Sequence, residues 1–257
     1  MNLQNIFNAL ENVDTEIYER VKHVSRRQLF SFGTKAALVA APLAVASSLN
    51  KAYGQSMPDR TVEVLKFALL LEYLEDEFYR TGLNTAGLIP GSDRPIFQQI
   101  SKHEIAHVAL LRSALGNRVE PKPNFDFTAR GAFPTVFSNY QTFMTLAQAF
   151  EDTGVRAYKG QAPALMVNDP VLEIALRIHS VEARHAARVR VLRGMKGWIT
   201  GMEGFPGAVY SGDQATRERE INVPGISGLS ESTVSEAFDE PLTKDQVLAI
   251  AIPFIRL

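Results

Sequence analysis

Six residues whose side chains bind metal ions recur along this chain in two matched sets. Glu72 is followed by Glu104-Ile-Ala-His107, and Glu151 is followed by Glu182-Ala-Arg-His185. The lone glutamate precedes its Glu-x-x-His by 32 residues in the first set and 31 in the second, and the sets are offset by 79 and 78 residues. Each lone glutamate also has a tyrosine seven residues on, Tyr79 and Tyr158. A Glu-x-x-His step covers about one helical turn, so both side chains leave the same face. Any histidine has about a one-in-fifteen chance of a glutamate three residues upstream. Here two of five have one, both on apolar stripes and both matched upstream, which rules out chance as the explanation. Four carboxylates and two imidazoles at these spacings suit two metal ions held between facing helices.

Four helices must carry these residues. The first is expected over Thr61 to Thr81 with Gly82 as its stop, presenting Val62, Leu65, Leu69, Glu72, Asp76 and Tyr79 at steps of three and four. The second opens at Ser92-Asp93-Arg94-Pro95, stops before Gly116, and aligns Phe97, Ile100, Glu104, His107, Leu111 and Ala114. The third runs from Ser138 to Lys159 with Gly160 as its stop, and aligns Tyr140, Met144, Ala147, Glu151, Val155 and Tyr158. The fourth runs from Asn168-Asp169-Pro170 to Arg193-Gly194 and aligns Leu172, Ala175, Ile178, Glu182, His185, Val189 and Leu192. About 20 residues containing Pro121, Pro123 and Pro134 separate the second helix from the third. At roughly 3.3 Å per extended residue they can run the length of a bundle about 30 Å long. The fold class is therefore all-α, a four-helix bundle with a long crossover between helices two and three. The tail, rich in Gly, Ser and Pro until a short helix near Thr243 to Ile252, reads as an arm packed back through Phe238, Ile250, Ile252 and Phe254. No chemistry is legible in it.

The stripes place Glu72, Glu104, Glu151 and Glu182 in an apolar interior. Four unpaired carboxylates there would each cost several kcal/mol and raise one another's pKa, unless something positive sits among them. Of the nearby polar residues, Glu75 is expected in solvent and Asp76 beside the site. His179, one turn before Glu182, is expected in the core, with a place as an extra ligand or a partner of the ligands as the alternative, and Arg184, Arg188, Arg190 and Arg193 on the solvent face. The chain has no cysteine and a net charge of −1 over 257 residues. These exclude thiolate sites and give no electrostatic footprint for nucleic acid.

The pattern Glu…Glu-x-x-His…Glu…Glu-x-x-His, over residues 61–195, resembles the ferritin-like superfamily of bacterioferritins, rubrerythrins, manganese catalases and other dinuclear carboxylate proteins. Together with the export-signal-like leader described below, the tail Glu236-Ala237-Phe238-Asp239-Glu240-Pro241-Leu242 is similar to that of exported bacterial ferritin-like proteins related to the plant desiccation-related type. The resemblance implies Glu104 and Glu182 as bridges between two metals. Glu72 and His107 then complete one site, and Glu151 and His185 the other. Tyr79 and Tyr158 match tyrosines that some bacterioferritins hold just outside their ligands. Several catalytic members carry Asp directly before the Glu of Glu-x-x-His; here His103 and Val181 stand there, so the histidines must find other partners.

The first 54 residues read as an address label. Ser25-Arg26-Arg27-Gln28-Leu29-Phe30, the apolar run from Ala36 to Ala46 and the small residues of Ala52-Tyr53-Gly54 resemble a bacterial twin-arginine export signal. The expected organisation is therefore a signal over 1–54, the bundle over 55–197 and the arm over 198–257. The expected function is that of an exported, periplasmic or cell-envelope di-iron protein. It would oxidise ferrous iron or consume peroxide under oxidative stress, with dioxygen or peroxide as substrate and Glu104, Glu182, Tyr79 and Tyr158 at the chemistry. Two manganese ions and catalase-like disproportionation of peroxide are the first alternative. A metal-binding stress-protection protein without turnover is the second. Membrane association is expected only if the signal stays uncleaved, and a homodimer stays open.

Overall fold

The computed structural model describes residues 57–201, 206–211, 217–218, 221–222, 225 and 227–256, so the export signal expected over 1–54 lies outside the described residues. Four long helices make the bundle: α1 Asp59–Asn84, α2 Arg94–Leu115, α3 Tyr140–Leu165 and α4 Asp169–Leu192. At 1.5 Å per residue the 26 residues of α1 span about 39 Å. The helix α1 packs along α2, α3 along α4, and α1 also against α3. This is the all-α bundle expected from periodicity. Among the described residues the only strands are the two-residue pair β1 Arg217–Glu218 and β2 Ile221–Asn222. No described helix is long and apolar enough to cross a membrane.

Local chemistry sets most of the helix ends. Pro95 and Pro170 occupy the first turns of α2 and α4, where a missing N–H costs nothing. The Asn139 side chain caps α3 by accepting from the Thr142 amide at 3.0 Å. Gly116 at φ 58° and Gly194 at φ 73° close α2 and α4 in the left-handed region, as expected.

Two expected stops are not stops. Gly82 lies inside α1, where a Cβ would sit 2.3 Å from the Phe143 ring. Gly160 lies inside α3, which continues five residues further to Leu165. A Cβ on Gly160 would sit 2.0 Å from the Leu242 carbonyl oxygen. The glycine is there because the arm crosses the helix at that point. Helix propensity alone would make Gly160→Ala stabilising by about 1 kcal/mol. The contact reverses the sign: the variant is expected to lose about 1–3 kcal/mol and expose the arm to protease, measured by denaturation and limited proteolysis.

The core is strongly aromatic at one end. Phe78 stacks on Phe143 at 4.7 Å and meets Phe150 edge-on at 5.0 Å, with Phe150 in turn against Phe254 at 4.9 Å. Phe254 ends the chain's last helical stretch, and the following residues pair with the α2–α3 crossover. Asp126 N donates to Phe254 O at 2.7 Å and Arg256 N to Asn124 O at 2.9 Å. The long crossover is thus held from both sides, by buried Phe125, Phe127 and Val136 and by this short ladder.

The arm adds two short helices, α5 Glu231–Ser235 and α6 Lys244–Ala251. The latter opens with a capping box between Thr243 and Gln246. Leu242, Val247 and Ala251 pack on Phe67, Leu71 and Ala157, joining the arm to α1 and α3. Ile252, expected inward, is 43% exposed. The anchor sequence reading missed is Arg156 on α3. Its fully buried guanidinium donates to Glu240 O at 2.6 Å, to Ser211 O at 2.7 Å and to Val209 O. Tyr210 reaches in beside it. Its hydroxyl donates to Asp152 at 2.8 Å and accepts from Gln148 at 2.9 Å.

Candidate metal centre

All six repeated residues meet at one place in the bundle. Glu72 from α1, Glu104 from α2, Glu151 from α3 and Glu182 from α4 are each 0% exposed, and His107 and His185 are buried with them. One group joins Glu72, Glu104, His107 and Glu182, and a second joins Glu104, Glu151, Glu182 and His185. In each, one ligand atom per residue lies within 4.8 Å of all the others. Glu104 and Glu182 belong to both groups, and the other four residues divide between them as the repeat divides them.

The contacts around the imidazoles suit ligands gathered about a cation. Nδ1 of His107 lies 3.1 Å from Glu72, 3.2 Å from Glu104 and 3.2 Å from Glu182. Nδ1 of His185 lies 3.0 Å from Glu104, 3.1 Å from Glu151 and 3.9 Å from Glu182. A single N–H cannot serve three carboxylates. Glu104 Oε1 and both oxygens of Glu182 accordingly have no hydrogen bond. Donors about 2.1 Å from one ion in octahedral array lie about 3.0 Å from one another, close to most of these separations. Ionised oxygen donors with two imidazoles suit hard or borderline divalent ions. The residues present fit a metal.

Without one, the electrostatics are adverse. Burial pushes the Glu182 carboxyl well above the usual carboxylate range, and the charges of Glu104, Glu151 and Glu72 add to it. Burial would depress His107, but Glu72 and the other carboxylates around it raise it well above the usual imidazole value. The same opposition, with Glu151 foremost among the raising neighbours, brings His185 up to about 11. Protons in the metal-free protein therefore do part of the neutralising that a cation would do.

Around this cluster the tyrosines stand where the repeat puts them. Tyr158 donates to Glu72 at 2.6 Å, and Tyr79 donates to Glu151. Burial, then the adjacent carboxylate, raises both phenols well above their usual value, so both keep their protons and act as donors. Each tyrosine thus bonds the lone glutamate of the other half.

Several expectations are corrected here. Glu75, expected in solvent, is buried, and Asp76, expected beside the site, bonds Arg80 at 3.5 Å instead. The cause is that α1 is covered on two sides. A Cβ added to Gly154 of α3 would lie 3.3 Å from both a Glu75 and a Glu182 oxygen, so Glu75 lies at the edge of the carboxylate cluster. Burial and then Glu182 push its carboxyl well above the usual range. Its position three residues after Glu72 was the available signal. Arg190 is not on the solvent face: it is 2% exposed and pairs with buried Asp152, Nε to Oδ1 at 3.2 Å. Arg193 is half-buried and donates to Gln148, whereas Arg184 and Arg188 are exposed as expected. His179 is half-buried and belongs to neither ligand group.

His103 was visible in the sequence only as an unusual residue. Its Nδ1 lies 2.8 Å from His185 Nε2, and its Nε2 lies 2.7 Å from the Gln99 amide. Burial, then the neighbouring His185, lowers it to about 4, so the ring is neutral.

Comparison with known proteins adds one match and one absence. The family model described as a ferritin-like domain matches residues 60–195, the whole of the four-helix region that carries these ligands. No curated protein matches the chain.

Proposed function

The chain belongs to the ferritin-like domain family, and from that premise we propose that its buried carboxylate–histidine cluster holds two iron ions and acts as a ferroxidase or peroxide-consuming centre. The observation that carries the reading is the division of six repeated residues into two overlapping groups that share Glu104 and Glu182. In this reading those two carboxylates would be shared by the ions, Glu72 with His107 would complete the holding of one, and Glu151 with His185 that of the other. Bound iron would supply electrons in pairs to dioxygen or peroxide.

The chain's own residues supply the rest. Tyr158 and Tyr79 donate to Glu72 and Glu151 and fix the carboxylates' orientation. The four glutamates are fully buried, and the low-dielectric surroundings strengthen the interactions among them. An apolar cavity bounded by Leu65, Leu111, Ala157, Tyr158, Ala175 and Ile178 adjoins the tyrosine that holds Glu72. Such a lining favours a small apolar co-substrate such as dioxygen.

Protein given ferrous iron in excess of its sites is expected to oxidise that iron with dioxygen or peroxide over many turnovers, each pair of ferrous ions giving up two electrons. Two bound irons with no turnover would sink the enzymatic reading. Two manganese ions with oxygen evolved from peroxide would move it to the catalase-like alternative. One observation favours the reading without turnover: His103, a neutral partner, stands behind His185 where several catalytic relatives place a carboxylate.

The twin-arginine resemblance supports an envelope location and loading of metal before export. Arg26→Lys with Arg27→Lys is expected to leave the precursor in the cytoplasm, read by fractionation. Unchanged accumulation outside it would contradict the export reading.

A further inference from the structure

The two halves of the centre match at every proposed ligand but differ behind them. His103 and Val181 occupy equivalent places in the 78-residue repeat, each directly before a shared glutamate. His103 reaches across from α2 to His185 on α4. The rings are nearly parallel, 12° apart with centroids at 5.1 Å, and Nδ1 of His103 meets Nε2 of His185 at 2.8 Å. The Val181 side chain has no polar atom to offer His107.

A metal at His185 would set one direction for the hydrogen bonds from His185 to His103 and Gln99. Nδ1 of His185 faces Glu104 and Glu151. An imidazole that gives Nδ1 to a metal keeps its proton on Nε2. That N–H donates to Nδ1 of His103, which places the proton of His103 on its own Nε2. The Gln99 amide lies 2.7 Å from that nitrogen through its Nε2, and turning the amide over brings its oxygen to accept the proton. His185 is therefore held by its ligand contacts on one side and by a defined acceptor on the other.

We propose that His103 is a positioning residue that makes the two metal sites unequal, with the His185 half the tighter. The inference rests on the dinuclear reading above. Fixing a ligating imidazole through its second nitrogen raises its basicity and removes its rotational freedom, and losing such a partner typically costs about 10–100-fold in metal affinity. His103 also lines a solvent-open crevice with Pro95, Ile96, Gln99, Ile100 and Arg188, which reaches His185. The tighter half is thus the one adjoining that opening.

The test is titration of metal-free full-length protein with cobalt(II) alone, followed by visible absorption and calorimetry. Parent protein is expected to bind two ions in two resolved steps. His103→Ala weakens the tighter step by about 10–100-fold and leaves the weaker one, so the steps converge. His103→Asn restores the separation, because its Oδ1 lies near the place of the imidazole Nδ1. Val181→Ala leaves both steps unchanged. Two equal sites in the parent, an Ala isotherm matching the parent's, or an Asn variant no better than Ala would each overturn the proposal. A parent that binds no cobalt would overturn the dinuclear reading and this inference with it, an outcome distinct from the other three.

Discussion

Glu182→Gln is expected to leave the metal-free protein as stable as the parent while removing most of the stabilisation that metal confers. In the metal-free state both oxygens of Glu182 lack hydrogen bonds, and burial with three neighbouring carboxylates favours its protonated form. A neutral amide of the same shape should therefore be tolerated. With metal present the balance reverses, because the amide is a poor substitute for a shared carboxylate. Each ion held at a concentration a thousandfold above its dissociation constant stabilises the parent by about 4 kcal/mol, and the variant forfeits most of that gain.

The pH dependence has a defined sign. His107 and His185 are raised, and Glu182 is raised, so protons occupy positions that metal must take. Loading expels them, and apparent affinity falls as pH falls, by about tenfold per unit for each proton displaced. The Gln variant has one such proton fewer and a correspondingly shallower slope. Thermal denaturation with and without metal, at several pH values, measures both effects. A metal-free Gln variant much less stable than the parent would mean that Glu182 is ionised and satisfied by something else.

Asp152→Ala is expected to cost about 3–5 kcal/mol, the usual penalty for leaving a buried charge unpaired. Asp152 and Arg190 are each 2% exposed. Removing the carboxylate strands the guanidinium and also takes the acceptor from the Tyr210 hydroxyl, which ties the arm to α3. Asp152 lies in neither metal-binding group, so the loss should be the same with and without metal. That independence separates a structural pair from a ligand. Denaturant titration reads it, and a loss below about 1 kcal/mol would place the pair among weak surface bridges.

What could be read from the sequence depended on whether a residue's partner shares its periodicity. Glu72, Glu104, His107, Glu151, Glu182 and His185 all lie on stripes that repeat every three to four residues, so their convergence followed from helix geometry. Tyr79 and Tyr158 followed for the same reason. Glu75 was misplaced because a single stripe describes a helix buried on one side, whereas α1 is covered by α3 and by the arm at Leu242, Val247 and Ala251. Asp152, Arg156 and Arg190 were missed because they answer to Tyr210, Glu240 and Trp198, in a tail that has no period. Gly160 obeyed a local rule for helix ends, and a backbone contact 82 residues away overrode it. His103 had an equally remote partner: its bond to His185 joins the two halves of the repeat.

The most direct test of the metal centre is metal analysis of protein purified from its native compartment, beside a Glu104→Ala, Glu182→Ala double variant. The dinuclear account predicts about two iron ions per chain in the parent and a folded variant that retains neither. A parent that is folded and empty, or a variant that keeps its metal, would contradict it.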